Sequence, residues 1–61
     1  MYRKYIELRD KAGVTDYRVA KETGIVRSTF TDWKSGKSEP KTEKLKKIAD
    51  FFGVSIDFFL E

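Results

Sequence analysis

The chain contains no cysteine and no histidine. Disulfides are therefore excluded, as are thiolate and imidazole metal sites, so hydrophobic packing must stabilise whatever fold forms. Long apolar runs are missing too; none approaches the roughly 20 residues needed to span a bilayer. The start, Tyr2-Arg3-Lys4-Tyr5, is amphipathic and unlike a signal peptide. A cytoplasmic protein with no membrane partner is the expectation. Extended structure has no support, because there is no alternating run of β-branched residues and no Asn-Gly or Asp-Gly hairpin turn. Internal repeats and low-complexity segments are also absent. Catalysis lacks its usual means: no histidine or cysteine, no glycine-rich phosphate loop and no evident carboxylate pair, so neither an enzyme nor a cofactor is expected.

What is present is short and unevenly charged. Sixty-one residues allow one domain, residues 1–61. A chain of that size buries only about 60% of its unfolded surface, so the core must be small. All 13 Lys and Arg precede Ile48, with seven acids among them, a balance of +6; the last 14 residues carry Asp50, Asp57 and Glu61 and no base, a balance of −3. Such a split suits a protein that sets one side against a polyanion. Solvated lysines give the same pattern, and charge alone does not choose between them.

Helical periodicity runs through the chain. From Tyr2 to about Ala12, Tyr5, Leu8 and Ala12 share a face with Ile6 and Arg9 at its edges, and Gly13 sits where a helix stop belongs, with Val14 packing back. From Thr42 to Phe52, Leu45, Ile48, Ala49 and Phe52 form an i, i+3, i+4, i+7 set that leaves Lys44, Lys46, Lys47 and Asp50 in solvent. Pro40 marks the end of the preceding loop and pre-sets a helix start. After Gly53, Ser55 is an N-cap candidate for a last short helix, Ile56 to Leu60, in which Ile56 and Phe59 point inward and Phe58 is left exposed. An exposed aromatic is often an interface.

Between these flanks lies the most informative stretch, Val14 to Gly36, VTDYRVAKETGIVRSTFTDWKSG. Thr15 is a good N-cap, and Asp16 puts negative charge at the positive end of the helix dipole. Val19, Ala20 and Thr23 supply one face small enough for close packing. Gly24 lets the chain turn with φ > 0. Past the turn, Ile25, Phe30 and Trp33 form one stripe of a further helix, opposite a polar and mostly short-sided stripe of Arg27, Ser28, Thr31, Asp32 and Ser35. Two helices, a small residue where they cross and a polar outer stripe describe a helix-turn-helix. The reading is all-α: five short helices around one core. Phe30 and Trp33 belong to that core by their spacing and are not base-stacking platforms; the tyrosines Tyr2, Tyr5 and Tyr17 read as amphipathic cover for it.

Ala20-x-x-x-Gly24, followed by Arg-Ser-Thr-Phe-Thr-Asp-Trp-Lys-Ser-Gly over residues 27–36 and a proline four residues on, resembles the xenobiotic-response-element (XRE) group of helix-turn-helix regulators, which includes phage Cro and repressor proteins. The resemblance extends over ELRDKAGVT before and GKSEPKTEKLKKIADFFGVSIDFFL after. It implies a lambda-repressor-like DNA-binding fold and a transcriptional regulator, a repressor by expectation, that acts on a double-stranded DNA operator. A major groove roughly 12 Å wide admits a helix, and its base edges meet the outer face of the second helix of the motif. The expected base readers are Arg27, Ser28, Thr31 and Asp32: Arg27 bidentate to guanine, Thr31 through its hydroxyl or methyl, Asp32 to a cytosine amine or as a partner that orients Arg27 or Lys34. A solvated helix face is the plainer account of the same four. Phosphate contacts are expected from Thr15 and Tyr17 at the start of the motif and from Lys34, Ser35, Lys37, Ser38 and Lys41 after it. Related repressors pair through the last helix, so Asp57 and Phe58 are candidate contacts of a homodimer bound to half-sites about 34 Å apart. If these residues belong to a longer regulator, the main dimer contacts lie outside them and the pairing here is weak. The alternative is a protein-interaction module, an antitoxin or adaptor, that keeps the motif as scaffold.

Three positions depart from the group's pattern. Asp16 stands where a glutamine is common, so it is expected to serve the helix dipole and avoid phosphate. Val26 replaces the usual Ser or Thr cap; either Ser28 compensates or the helix start frays, and the valine methyls are available to a thymine. Lys34 replaces the acid that Arg9 usually meets, so that ion pair is lost or rerouted, with Asp32 the candidate.

Overall fold

The computed structural model describes all 61 residues and contains five helices in chain order: α1 Tyr2–Ala12, α2 Asp16–Thr23, α3 Arg27–Ser35, α4 Thr42–Phe52 and α5 Asp57–Leu60. There is no strand. Each of the first four helices ends at a glycine with positive φ, and the pattern at Gly13 shows why the sequence stops there. The Gly13 amide donates to the Asp10 carbonyl and the Val14 amide reaches back to Arg9, which satisfies carbonyls that the helix leaves unpaired. Val14 then packs against the core, as its position predicts.

Ten buried side chains form one apolar cluster, with contributions from every helix: Tyr5, Val19, Ala20, Ile25, Phe30, Trp33, Leu45, Ile48, Ala49 and Phe59. Aromatic rings dominate its centre. The Tyr5 ring stacks on Trp33 at 5.1 Å and lies 5.4 Å from Phe30, while Phe59 closes over the indole at 6.3 Å. Each such pair adds about 0.5–1.5 kcal/mol beyond its buried area. The α2 helix packs on α4 and α3, and α5 folds back on α1.

Several expectations change at this level. Tyr5 is wholly buried and central, where cover was expected, because Trp33, Phe30 and Phe52 surround its ring. Ala12, expected on the inward face of α1, is exposed at the last turn of its helix. Pro40 is buried and lies one residue before the α4 N-cap Lys41, so it contributes packing as well as the restricted approach to the helix. The last helix is one residue shorter than expected: Ile56 takes the cap position, and the Ser55 hydroxyl accepts from the Asp57 amide at 3.2 Å. Within it, Phe58 is half-buried against the core, with the Lys4 ammonium 5.0 Å from its ring centre, and Leu60 is the exposed apolar residue instead. Four residues make barely one turn, too few for spacing to decide which ring faces in.

Candidate nucleic-acid interface

The turn between α2 and α3 is set by local chemistry. Thr15 caps α2, its hydroxyl accepting from the Arg18 amide at 3.1 Å. At the other end the Thr23 hydroxyl donates to the Val19 carbonyl at 2.7 Å and accepts from the Ile25 amide at 3.4 Å. Gly24 between them has φ +76°, a conformation that a Cβ disfavours. Ile25 drops into the core, and α3 starts at Arg27.

On α3 the inward and outward faces separate cleanly. Phe30 and Trp33 are 1% and 3% exposed, whereas Arg27, Ser28, Thr31, Lys34 and Ser35 are all exposed. The Arg27 guanidinium makes no ion pair and lies 5.6 Å from the Tyr17 ring centre, so α2 carries the platform on which it rests. A cation over an aromatic face gains about 0.5–1 kcal/mol at an exposed site, enough to bias the side chain's position without neutralising its charge. Asp32 stands apart from these residues. It is half-buried and lines a polar hollow with Thr29, Ser38, Lys41 and Lys44, and it pairs with neither Arg27 nor Lys34, contrary to expectation.

Beyond α3 the exposed side chains of Lys37, Ser38 and Lys41 follow in sequence. The turn that carries them is held by the Asp32 carbonyl, which accepts from the Lys37 and Ser38 amides at 2.9 and 3.3 Å. The Ser35 hydroxyl also donates to that carbonyl, at 3.1 Å, so its hydrogen is engaged within the protein. In α5 Asp57 is exposed and Phe58 is half-buried, which leaves the two expected dimer contacts differently accessible.

Asp16 resolves the departure that its charge posed. It accepts the Tyr5 hydroxyl at 2.5 Å and the Arg9 guanidinium at 3.1 Å, tying α1 to the first turn of α2. Arg9 also meets Asp10 at 3.2 Å. The rerouted ion pair therefore runs to Asp16 and not to Asp32. Burial, and then the hydrogen bond to Asp16, push the Tyr5 hydroxyl well above its ordinary ionisation range. The Asp16 hydrogen bond likewise raises the Arg9 guanidinium above its usual value, so both donors stay protonated. Helical spacing puts Tyr5 and Arg9 four residues apart on one face of α1, but no local pattern signals that Asp16 of α2 meets them.

At the junction, α3 has no side-chain cap. Val26 occupies the N-cap position with extended backbone, φ −66° and ψ 144°, and is 62% exposed. Ser28 makes no compensating hydrogen bond, so the first of the two alternatives for the missing cap is not met.

A family model described as Helix-turn-helix matches residues 6–59, a span that contains α2, α3 and nearly all of their support. The chain belongs to the XRE-type helix-turn-helix family. It is 37% identical over 57 residues to the HTH-type transcriptional activator BcrR of Enterococcus faecalis, covering 93% of this chain and 28% of that protein. It is 36% identical over 53 residues to YonR, an SPbeta prophage-derived HTH-type transcriptional regulator of Bacillus subtilis, covering 87% of this chain and 49% of YonR. An HTH-type transcriptional regulator of Haemophilus influenzae is 44% identical over 39 residues, covering 64% of this chain and 16% of that protein. The chain thus spans half or less of the length of these relatives. No solved structure matches it. Membership of this helix-turn-helix family agrees with the lambda-repressor-like, all-α architecture, and the three relatives are named as transcriptional regulators. No helix is long and apolar enough to cross a membrane.

Proposed function

We propose that the protein binds double-stranded DNA sequence-specifically, entering the major groove with the outer face of α3, and regulates transcription from the bound site. The observation that carries this reading is the division of α3: two aromatic anchors buried on one side, and on the other an arginine with no carboxylate partner amid small polar side chains. Arg27, Ser28 and Thr31 are the base readers, with Asp32 at the margin of the face. Arg27 donating to O6 and N7 of a guanine supplies about 1–3 kcal/mol of discrimination. Thr15 and Tyr17 approach phosphate from α2; Lys34, Lys37, Ser38 and Lys41 do so from the other side, and Ser35 contributes only if its hydroxyl leaves the Asp32 carbonyl.

The protein acts in the cytoplasm as a homodimer on a pseudo-palindrome, with Asp57 and the neighbouring apolar side chains of α5 at the contact. Repression follows where the operator overlaps a promoter. That BcrR is named an activator fits the view that operator position, and not the fold, sets the sign.

Selection of bound sequences from a random duplex pool tests the proposal, with Arg27→Ala as control. A preferred duplex whose affinity falls steeply with salt is expected, and the variant should lose preference at one base position. A protein that prefers no duplex over any other would end the reading.

A further inference from the structure

Tyr5 carries one group that its packing does not need. Its ring meets Trp33, Phe30 and Phe52, and a phenylalanine would make the same three contacts. The side chain is wholly buried, and its hydroxyl makes a single bond, to Oδ1 of Asp16 at 2.5 Å. Arg9 follows four residues on along the same face of α1, with its guanidinium 5.9 Å from the Tyr5 ring centre. Its Nη1 donates to that same Asp16 oxygen at 3.1 Å. Two donors on one helix thus converge on one carboxylate oxygen of the next.

Asp16 is the first residue of α2 and stands between Thr15 and Tyr17, the two side chains that approach phosphate from this helix. Its side chain remains 34% exposed. A unit charge at that place lies inside the roughly 10 Å over which charges are felt at 0.1 M salt. The dipole of α2 favours an acid at this terminus, where the carboxylate, left alone, would face the phosphates and repel them. The bonds from α1 draw it the other way, and the guanidinium balances it.

We propose that Tyr5 and Arg9 are positioning residues for DNA affinity: from α1 they turn the Asp16 carboxylate away from the phosphates and offset its charge, touching no DNA themselves. This rests on the reading of α2 as a phosphate-facing helix. It gives α1, which carries no base reader, control over how tightly any duplex is held and none over which duplex is preferred.

The test compares the duplex recovered by selection with an unrelated one, titrated over a range of salt, with circular dichroism checking that each variant is folded. Arg9→Ala exposes one uncompensated negative charge. It should weaken both duplexes by the same factor, about eightfold at 0.1 M salt, and reduce the salt slope by about one. Tyr5→Phe alters no charge, yet should weaken both by about twofold, at the low end of what one hydrogen bond contributes. Asp16→Asn supplies the rescue, a readout that a loss of stability alone would not give. Arg9→Ala combined with Asp16→Asn should return to the affinity of the unsubstituted protein, and Tyr5→Phe should change nothing once Asp16→Asn is present. A double variant as weak as Arg9→Ala overturns the assignment, because Arg9 then meets phosphate itself. Unchanged affinity in Arg9→Ala or in Tyr5→Phe overturns it as well, and so does a factor that differs between the two duplexes. Each of these results leaves recognition by α3 standing. If no duplex is preferred by the unsubstituted protein, the regulator reading fails and takes this proposal with it.

Discussion

Arg9 lies between two carboxylates, Asp10 and Asp16, and Asp16 is itself bound by the Tyr5 hydroxyl. Arg27, two helices on, meets no carboxylate and rests against an exposed aromatic ring. In one small fold the same side chain is thus placed in two ways. The first arginine has its charge balanced and its donors engaged, and it joins α1 to α2. The second keeps both charge and donors available and joins nothing. Net charge by residue count does not distinguish them. The partners do, and they separate a charge used to hold the fold from one free to meet a ligand.

This contrast can be broken or sharpened by substitution. The largest effect is expected where the two regions share support. Trp33→Ala should destabilise the protein by about 3–5 kcal/mol, because the indole stacks under Tyr5 on one side and anchors α3 on the other. Urea denaturation measures this, and an intact cooperative transition near the original midpoint would show that the frame does not depend on the indole. Next comes Arg27→Ala, expected to remove about 1–3 kcal/mol of base discrimination while changing stability by no more than about 0.5 kcal/mol. Duplex titrations alongside urea curves test both halves, and a loss of stability equal to the loss of discrimination would erase the distinction between the arginines.

The Arg9 region should instead respond to pH. An unfolded tyrosine ionises near its ordinary value of 10.0, whereas the folded Tyr5 hydroxyl is pushed higher by burial and by Asp16. The unfolded chain therefore loses its proton first. The contribution of Tyr5 is complete below pH 10 and falls as pH rises above it, by about 1.4 kcal/mol per pH unit until the folded hydroxyl ionises. Denaturation midpoints measured above pH 10 should decline less steeply in Tyr5→Phe; parallel curves would remove the Tyr5 hydroxyl from the account. Arg9→Ala is expected to cost about 1 kcal/mol of stability, a figure reduced by the partial exposure of both partners, with base preference unchanged. Val26→Ser should act in the opposite direction, raising thermal stability by about 0.5–1 kcal/mol through a new cap. A neutral or negative shift would mean that the first-turn amides already have partners in water.

Much of this was legible in the chain. Four helix ends follow from the glycines that close the helical stretches, and the buried and exposed faces of α3 follow from the spacing of Ile25, Phe30 and Trp33 against Arg27, Ser28 and Thr31. What escaped is tertiary. Asp16 reads locally as a dipole group, and only the approach of α1 gives it Tyr5 and Arg9. Asp32 lies on the polar stripe by periodicity, yet the loop after α3 folds beside it and half-covers its side chain. In α5 a single turn gives no period to count, so Phe58, expected to be exposed, is half-buried, and Leu60 is the exposed apolar side chain.

The buried indole has a practical consequence. Trp33 is the chain's sole tryptophan, 3% exposed, on the concealed side of the helix assigned to the groove. Its fluorescence should therefore be nearly blind to a duplex docking across Arg27 and sharply sensitive to unfolding. One optical signal then separates variants that have lost their fold from those that have lost only their grip on DNA.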